Sequence, residues 1–201
     1  MPRPRMMLGV VLAGGKSTRM GAEKAFAPLE NRPLIAYAIE RLRPQVQALA
    51  ISANGDPRRF AAFGLPVLAD PPSESDAGPL AGVAAGLAYA AREGHDIVAT
   101  APCDAPFAPT DFVRRLAEAM IDSAAPAALV ESPRGLEPLF ALWRVDLLAA
   151  LRAHLGGGGR SPRDFLLAQG AARARFADEE PFANLNSPAE MARARAKAKP
   201  G

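Results

Sequence analysis

One cysteine, Cys103, stands among 201 residues, so no internal disulfide can form and the chain suits a reducing compartment such as the cytoplasm. Histidine is nearly as scarce, with only His95 and His154. Neither adjoins Cys103, which removes the usual base for a thiol nucleophile and leaves that cysteine reading as a small buried side chain. Long hydrophobic runs are missing. None reaches the ~18 apolar residues a membrane-spanning helix needs, and the nearest approach, residues 78–91, is built largely of Gly and Ala. An excess of one charge is also absent: 24 basic side chains face 21 acidic ones, for a net charge of +3. Much of that excess sits in the tails, at Arg3, Arg5, Arg193, Arg195, Lys197 and Lys199. So mild a balance gives no ground for a nucleic-acid partner but suits a small polyanionic substrate. What remains is a globular composition, 49% hydrophobic and 22% charged, long enough for one domain with a sizeable core. The N-terminal apolar run breaks at Gly14-Gly15 with no small-residue cleavage site after it, so it reads as a first core strand and not a signal peptide.

Apolar runs then alternate with helical patterns. Strands are expected over residues 6–13, 46–53, 65–69, 96–101, 127–131 and 139–142. Helices are expected over 33–43, 57–63, 78–92, 111–121 and 145–155, with Thr110 as the N-cap of the segment 111–121. In 33–43, Pro33 occupies the first turn and Leu34, Ala38 and Leu42 share a face. Residues 156–160 (Gly-Gly-Gly-Gly-Arg) read as a flexible loop, and the stretch after Ala189 as a short basic helix that frays. The repeated strand–helix–strand order predicts an α/β fold: a mainly parallel sheet, wound right-handed, with helices on both faces. Ligands on such sheets bind beyond the carboxyl ends of the strands. The loops after Ala13, Ala53, Ala69 and Ala101 are therefore the ones to read for chemistry.

The first loop runs Leu12-Ala-Gly-Gly-Lys-Ser-Thr-Arg-Met-Gly-Ala-Glu-Lys24. It is not a P-loop, because G-x-x-x-x-G-K-[ST] would need glycine where Val10 stands. The dinucleotide fingerprint fails too, since Gly14 is followed by Gly15 and then Lys16. Its physics still favours phosphate over a plain surface turn. Backbone amides in a Gly-rich turn form an anion-binding concavity, Gly14 and Gly15 let a ligand approach closely, and Arg19 and Lys24 add full charges. After the strand at 96–101, Asp104 sits between Pro102 and Pro106, a carboxylate rigidly placed toward the crevice. Magnesium binds through one or two carboxylates plus substrate phosphates; an ordinary turn aspartate is the alternative.

The L-A-G-G-x-S-x-R-M-G-x-[DE]-K pattern after an N-terminal strand resembles the signature of GT-A-like nucleotidyltransferases, and within them the molybdenum cofactor guanylyltransferases, the MobA family. Gly14-Gly15 matters here, because cytidylyltransferase relatives more usually carry L-A-A-G. Glu23 departs from the aspartate of the pattern but keeps the carboxylate. Other loops resemble the family in order: Ser52-Ala-Asn54-Gly, Asp70-Pro-Pro, Asp76-Ala-Gly-Pro-Leu-Ala-Gly82, Pro102-Cys-Asp-Ala-Pro-Phe107 and Asn184-Leu-Asn-Ser-Pro188. Each motif alone is weak; six in sequence, over roughly residues 7–190, are not.

The resemblance implies a Rossmann-like three-layer α/β/α nucleotidyltransferase fold with a mainly parallel sheet. Residues 1–201 would form one domain, with a nucleotide half at roughly 6–110, an acceptor half at roughly 111–190 and a basic tail at 191–201. The implied reaction transfers GMP from GTP to the phosphate of molybdopterin (Mo-molybdopterin), releases pyrophosphate and forms molybdopterin guanine dinucleotide. It implies Mg2+ on Asp104, with Lys24 and Arg19 on the triphosphate as further catalytic residues. Leu12, Ala13, Gly14 and Gly15 are implied backbone contacts to the nucleotide, and Asn54 and Asp70 side-chain contacts, Asp70 to the base. A carboxylate there would accept from the guanine N1–H and N2–H2 edge, which adenine lacks. On the acceptor side, Gly78 and Gly82, with Pro79, would let a helix start approach the substrate. Asn184 and Asn186 would complete the site, although an Asn before Ser-Pro is also an ordinary helix-entry turn. From charge alone, Arg160 or Arg163 is a candidate for the pterin phosphate. Transient contact with other cofactor-biosynthesis proteins is expected, and no nucleic acid or membrane partner. The competing readings are a CTP-dependent nucleotidyltransferase of the same fold and a non-catalytic nucleotide-binding module.

Overall fold

A strand that is apolar at successive positions must be covered on both faces, and β1 (Met7–Leu12) is: Leu8, Val10 and Leu12 enter one core cluster and Val11 the other. The computed structural model describes residues 6–14, 24–71, 77–178, 180–185 and 190. Gly15, Lys16, Arg19, Glu23, Asp76, Asn186 and the basic tail lie outside the described residues. After β1 come a small hairpin of β2 (Pro28–Leu29) and β3 (Arg32–Pro33), helix α1 (Leu34–Leu42), β4 (Ala48–Ser52) and β5 (Val67–Leu68). Then follow α2 (Pro79–Glu93), β6 (Ile97–Pro102), α3 (Phe112–Asp122), β7 (Ala127–Ser132) and β8 (Gly135–Arg144). The last elements are α4 (Leu148–Gly156), α5 (Pro162–Ala168) and β9 (Ala172–Arg175). A single seven-stranded sheet, in the order β5-β4-β1-β6-β8-β7-β9, runs through both stretches expected to form halves.

The sheet is mainly parallel, as expected, with β8 antiparallel to both β6 and β7. Its direction follows from its connection: two residues separate it from β7, and so short a link closes only an antiparallel hairpin. The sequence expectation of 139–142 was too short, because Gly135, Glu137 and Pro138 interrupt the apolar pattern while the ladder to β7 continues past them. The β2–β3 hairpin, α5 and β9 were not expected; each is short, and β9 reads Ala-Arg-Ala-Arg. The segment Pro57–Phe63 is a 3-10 helix capped by Asp56, whose carboxylate accepts from the Arg58 amide. Pro33 is the N-cap of α1, not part of its first turn. At α3 the cap is Asp111, not Thr110; its carboxylate makes no capping bond and instead accepts from Arg114 Nη2 at 3.0 Å. The amide of Val113 is served instead by Gln45 Oε1 at 2.9 Å, a donor–acceptor pair 68 residues apart that no local pattern announces.

Helices cover both faces. α1 and α3 pack their apolar sides into the cluster with Val11, Ile51 and Phe140; α2, α4 and α5 pack into the cluster with Val10, Val98 and Trp143. Trp143 is fully buried and its indole N–H donates to Thr100 Oγ1 at 3.0 Å, which satisfies both polar groups inside the sheet layer. α2 lies close on β1 and β4 because it presents glycine at the contact. A Cβ on Gly82 would fall 2.3 Å from Ser52 Oγ, and one on Gly86 would fall 3.0 Å from Val10 Cγ2.

Gly82→Ala should therefore destabilise the protein by about 1–3 kcal/mol through overpacking. Gly156→Ala, at the end of α4 with nothing within 4 Å of the new Cβ, should be neutral or slightly stabilising. Urea unfolding of the two variants checks the opposite signs.

Candidate active site

The sheet order creates a crevice. From β1 the chain moves outward through β4 to β5, then returns to place β6 on the other side of β1. Such a switch point, at the carboxyl ends of adjacent parallel strands, is where α/β sheets bind ligands. Backbone bonds carry the sheet into the loops: Ala13 N–H donates to Ser52 O at 2.8 Å, and Cys103 N–H to Leu12 O at 3.0 Å. Leu12 and Ala13 thus have part of their backbone committed to the sheet. Gly14 has more freedom, since a Cβ there would meet nothing nearer than 3.9 Å.

Asp104 lies two residues beyond β6, after Cys103, and forms an ion pair with Lys24 through Oδ2 and Nζ. The side chains are 13% and 24% exposed, so the pair is largely withdrawn from water. Eighty residues separate the two in sequence. The main chain of Asp104 is held as well, its carbonyl accepting from Leu185 N–H at 2.9 Å. Asn184 precedes that contact and is exposed. On the other flank, Asn54 after β4 and Asp70 after β5 bind one another: Asn54 Nδ2 donates to Asp70 Oδ2 at 2.7 Å and Asp70 N–H to Asn54 Oδ1 at 2.9 Å. Partial burial pushes the Asp70 carboxyl above its ordinary value, and the Asn54 amide draws it part of the way back.

Other expected residues sit as follows. Gly78 caps α2 with φ +64°, a conformation that favours glycine. The missing side chain of Gly82 is filled by Ser52 and Leu12, which gives that glycine a packing role within the protein. Arg160 donates Nη1 to the carbonyls of Leu155 (2.9 Å) and Gly159 (2.8 Å), which ties this exposed arginine to the end of α4. The Cys103 thiol is 6% exposed and pushed up to about 12 by burial and by the Asp104 charge, which fits the inert buried thiol expected of it. Sequence reasoning missed Leu185, an apolar residue between two motif asparagines whose only signal was its place in that motif.

Among the described residues no group of three or more His, Cys, Asp or Glu is placed to hold a metal ion. Asp104 presents a hard carboxylate oxygen at the crevice, the kind of ligand magnesium takes alongside waters and substrate phosphates. No helix of the described residues is long and apolar enough to cross a membrane.

Asp70 gives a direct check on this electrostatics. Its carboxyl should titrate above the ordinary aspartate value in 13C NMR, and Asn54→Ala should move it higher still by removing the donor that lowers it. Because the folded value lies above the unfolded one, ionising Asp70 costs stability. That contribution is absent below the unfolded value and grows as pH rises through the folded one. Asp70→Asn should abolish this part of the pH dependence of stability.

Comparison with known proteins gives a consistent result. Residues 9–173 match the model of the MobA-like NTP transferase domain. The molybdenum cofactor guanylyltransferase of Cereibacter sphaeroides is 47% identical over 189 residues, 94% of this chain and 95% of that protein. Among solved structures, the molybdopterin-guanine dinucleotide biosynthesis protein A of Archaeoglobus fulgidus superposes with a TM-score of 0.71 at 20% identity, covering 96% of this chain and 98% of that one. A 4-diphosphocytidyl-2C-methyl-D-erythritol synthase superposes with a TM-score of 0.73 at 14% identity, over 96% and 98% of the two chains. At these identities the structural likenesses establish the nucleotidyltransferase fold and do not separate one nucleotide from another.

Proposed function

The chain belongs to the MobA-like NTP transferase family, and from that premise we propose that it transfers GMP from GTP to the terminal phosphate of molybdopterin, releasing pyrophosphate and forming molybdopterin guanine dinucleotide. The observation that carries the reading is the Lys24–Asp104 pair at the switch point between β1 and β6. It is supported by the relative at 47% identity, which bears the guanylyltransferase name.

The acceptor phosphate attacks the α-phosphate of GTP and pyrophosphate leaves, with no covalent protein intermediate. Lys24 contacts the triphosphate and stabilises charge on the departing pyrophosphate, with Arg19 assigned the same work. Asp104 would hold Mg2+, which when bound would supply charge neutralisation on the phosphates. Leu12, Ala13, Gly14 and Gly15 line the nucleotide with backbone. Asn54 orients Asp70, which accepts from the N1–H and N2–H2 edge of guanine. The nucleotide half is assigned to residues 6–110, and the acceptor half to 111–190 together with Gly78, Gly82, Asn184 and Asn186. The setting is cytoplasmic, with transient delivery and receipt of cofactor by other biosynthetic proteins.

The test is pyrophosphate release from purified protein with Mg2+ and molybdopterin, with GTP and CTP in parallel. Release is expected with GTP and not with CTP, and Asp104→Asn should lower it about a hundredfold or more. Release with CTP alone would overturn the base assignment, and full activity of Asp104→Asn would remove that residue from the mechanism.

A further inference from the structure

Residues 180–185 run back to the loop that carries Asp104. Phe182 anchors this return: it is 2% exposed, with ring centroids 5.1 Å from Phe140 and 4.8 Å from Phe176, both edge-on. Three residues later Leu185 is buried with Leu29 and Leu34, and Tyr37 and Phe107 pack against the same small cluster. Tyr37 steadies it by donating its hydroxyl to Leu29 O at 3.0 Å. From this seat the Leu185 amide reaches the Asp104 carbonyl at 2.9 Å. Asp104 is thus fixed twice, by Lys24 at its carboxylate and by Leu185 at its main chain. Groups that orient a metal-binding carboxylate from behind tune its affinity without touching the ion.

We propose that Leu185 is a positioning residue for Asp104: its side chain, seated among Leu29, Leu34 and Phe107, fixes the backbone bond that aims the carboxylate into the crevice. The proposal rests on the reading of Asp104 as the carboxylate that holds a divalent ion brought with the triphosphate. Leu185→Ala empties the seat and releases the Asp104 loop, while Leu185→Met refills it.

The experiment uses Mn2+ as the probe, titrated into full-length protein with GTP, with free Mn2+ read by EPR and thermal stability measured on the same samples. Leu185→Ala should weaken Mn2+ half-saturation by about tenfold or more. Leu185→Val should shift it in the same direction and keeps the result readable if the alanine variant does not fold, and Leu185→Met should restore it. Leu155→Ala, at a leucine of similar burial (5% exposed) in the opposite core cluster, should lower Tm and leave Mn2+ binding where it was. Adding Leu185→Ala to Asp104→Asn should produce no further loss of Mn2+ binding, since the effect passes through the carboxylate. Unchanged Mn2+ binding in Leu185→Ala or Leu185→Val, an equal shift in Leu155→Ala, or full additivity overturns the positioning role alone. Unchanged binding in Asp104→Asn overturns the reading of Asp104 and the proposal with it.

Discussion

The ion pair of Lys24 with Asp104 is the constraint around which the rest of the site is arranged. A lysine and an aspartate largely withdrawn from water lose hydration that their mutual attraction only partly offsets, so such a pair is weak support for a fold. It makes chemical sense where a polyanion is to be received. In the proposed reaction the cation would take phosphate oxygens and the carboxylate a divalent ion, and until then each neutralises the other. The sheet makes this possible, since Lys24 lies twelve residues beyond the end of β1 and β6, the hydrogen-bonded neighbour of β1, delivers Asp104.

The neighbouring polar pair works on another principle. Asn54 and Asp70 exchange two hydrogen bonds across the ends of β4 and β5, which fixes both side chains without a formal counter-charge. The amide occupies Oδ2 of Asp70 and leaves acceptor capacity on the carboxylate, and partial burial keeps that capacity in a medium where hydrogen bonds discriminate strongly. Two carboxylates at the same edge of one sheet thus have different surroundings, one facing a cation and one facing an amide. Different tasks follow from those surroundings and not from the residue type.

Much of the remaining molecule serves to keep these loops still. The close seat of α2 on β1 and β4 depends on Gly82 and Gly86, where any side chain would displace Ser52 or Val10. The edge-on rings of Phe112, Phe140, Phe182 and Phe176 carry the core outward to the C-terminal segment, which in turn reaches Asp104 through Leu185. A residue far along the chain thereby becomes part of the support of a loop laid down some eighty residues earlier.

The sequence by itself determined the alternation of strands and helices, the parallel character of the sheet and the loops that matter. All of these follow from periodicity and turn chemistry within about ten residues. It also determined the candidate chemistry of Asp104, Lys24, Asn54 and Asp70, because charge and donor type belong to the residue. Tertiary structure alone decided which of these meet. Nothing in the spacing of Lys24 and Asp104 says that they touch, that Asn54 orients Asp70, that Gln45 caps α3, or that Arg160 bonds its own helix end. Such contacts join residues whose separation is set by sheet order and helix packing. Only the closed fold, with every layer in place, brings them within a hydrogen bond of each other.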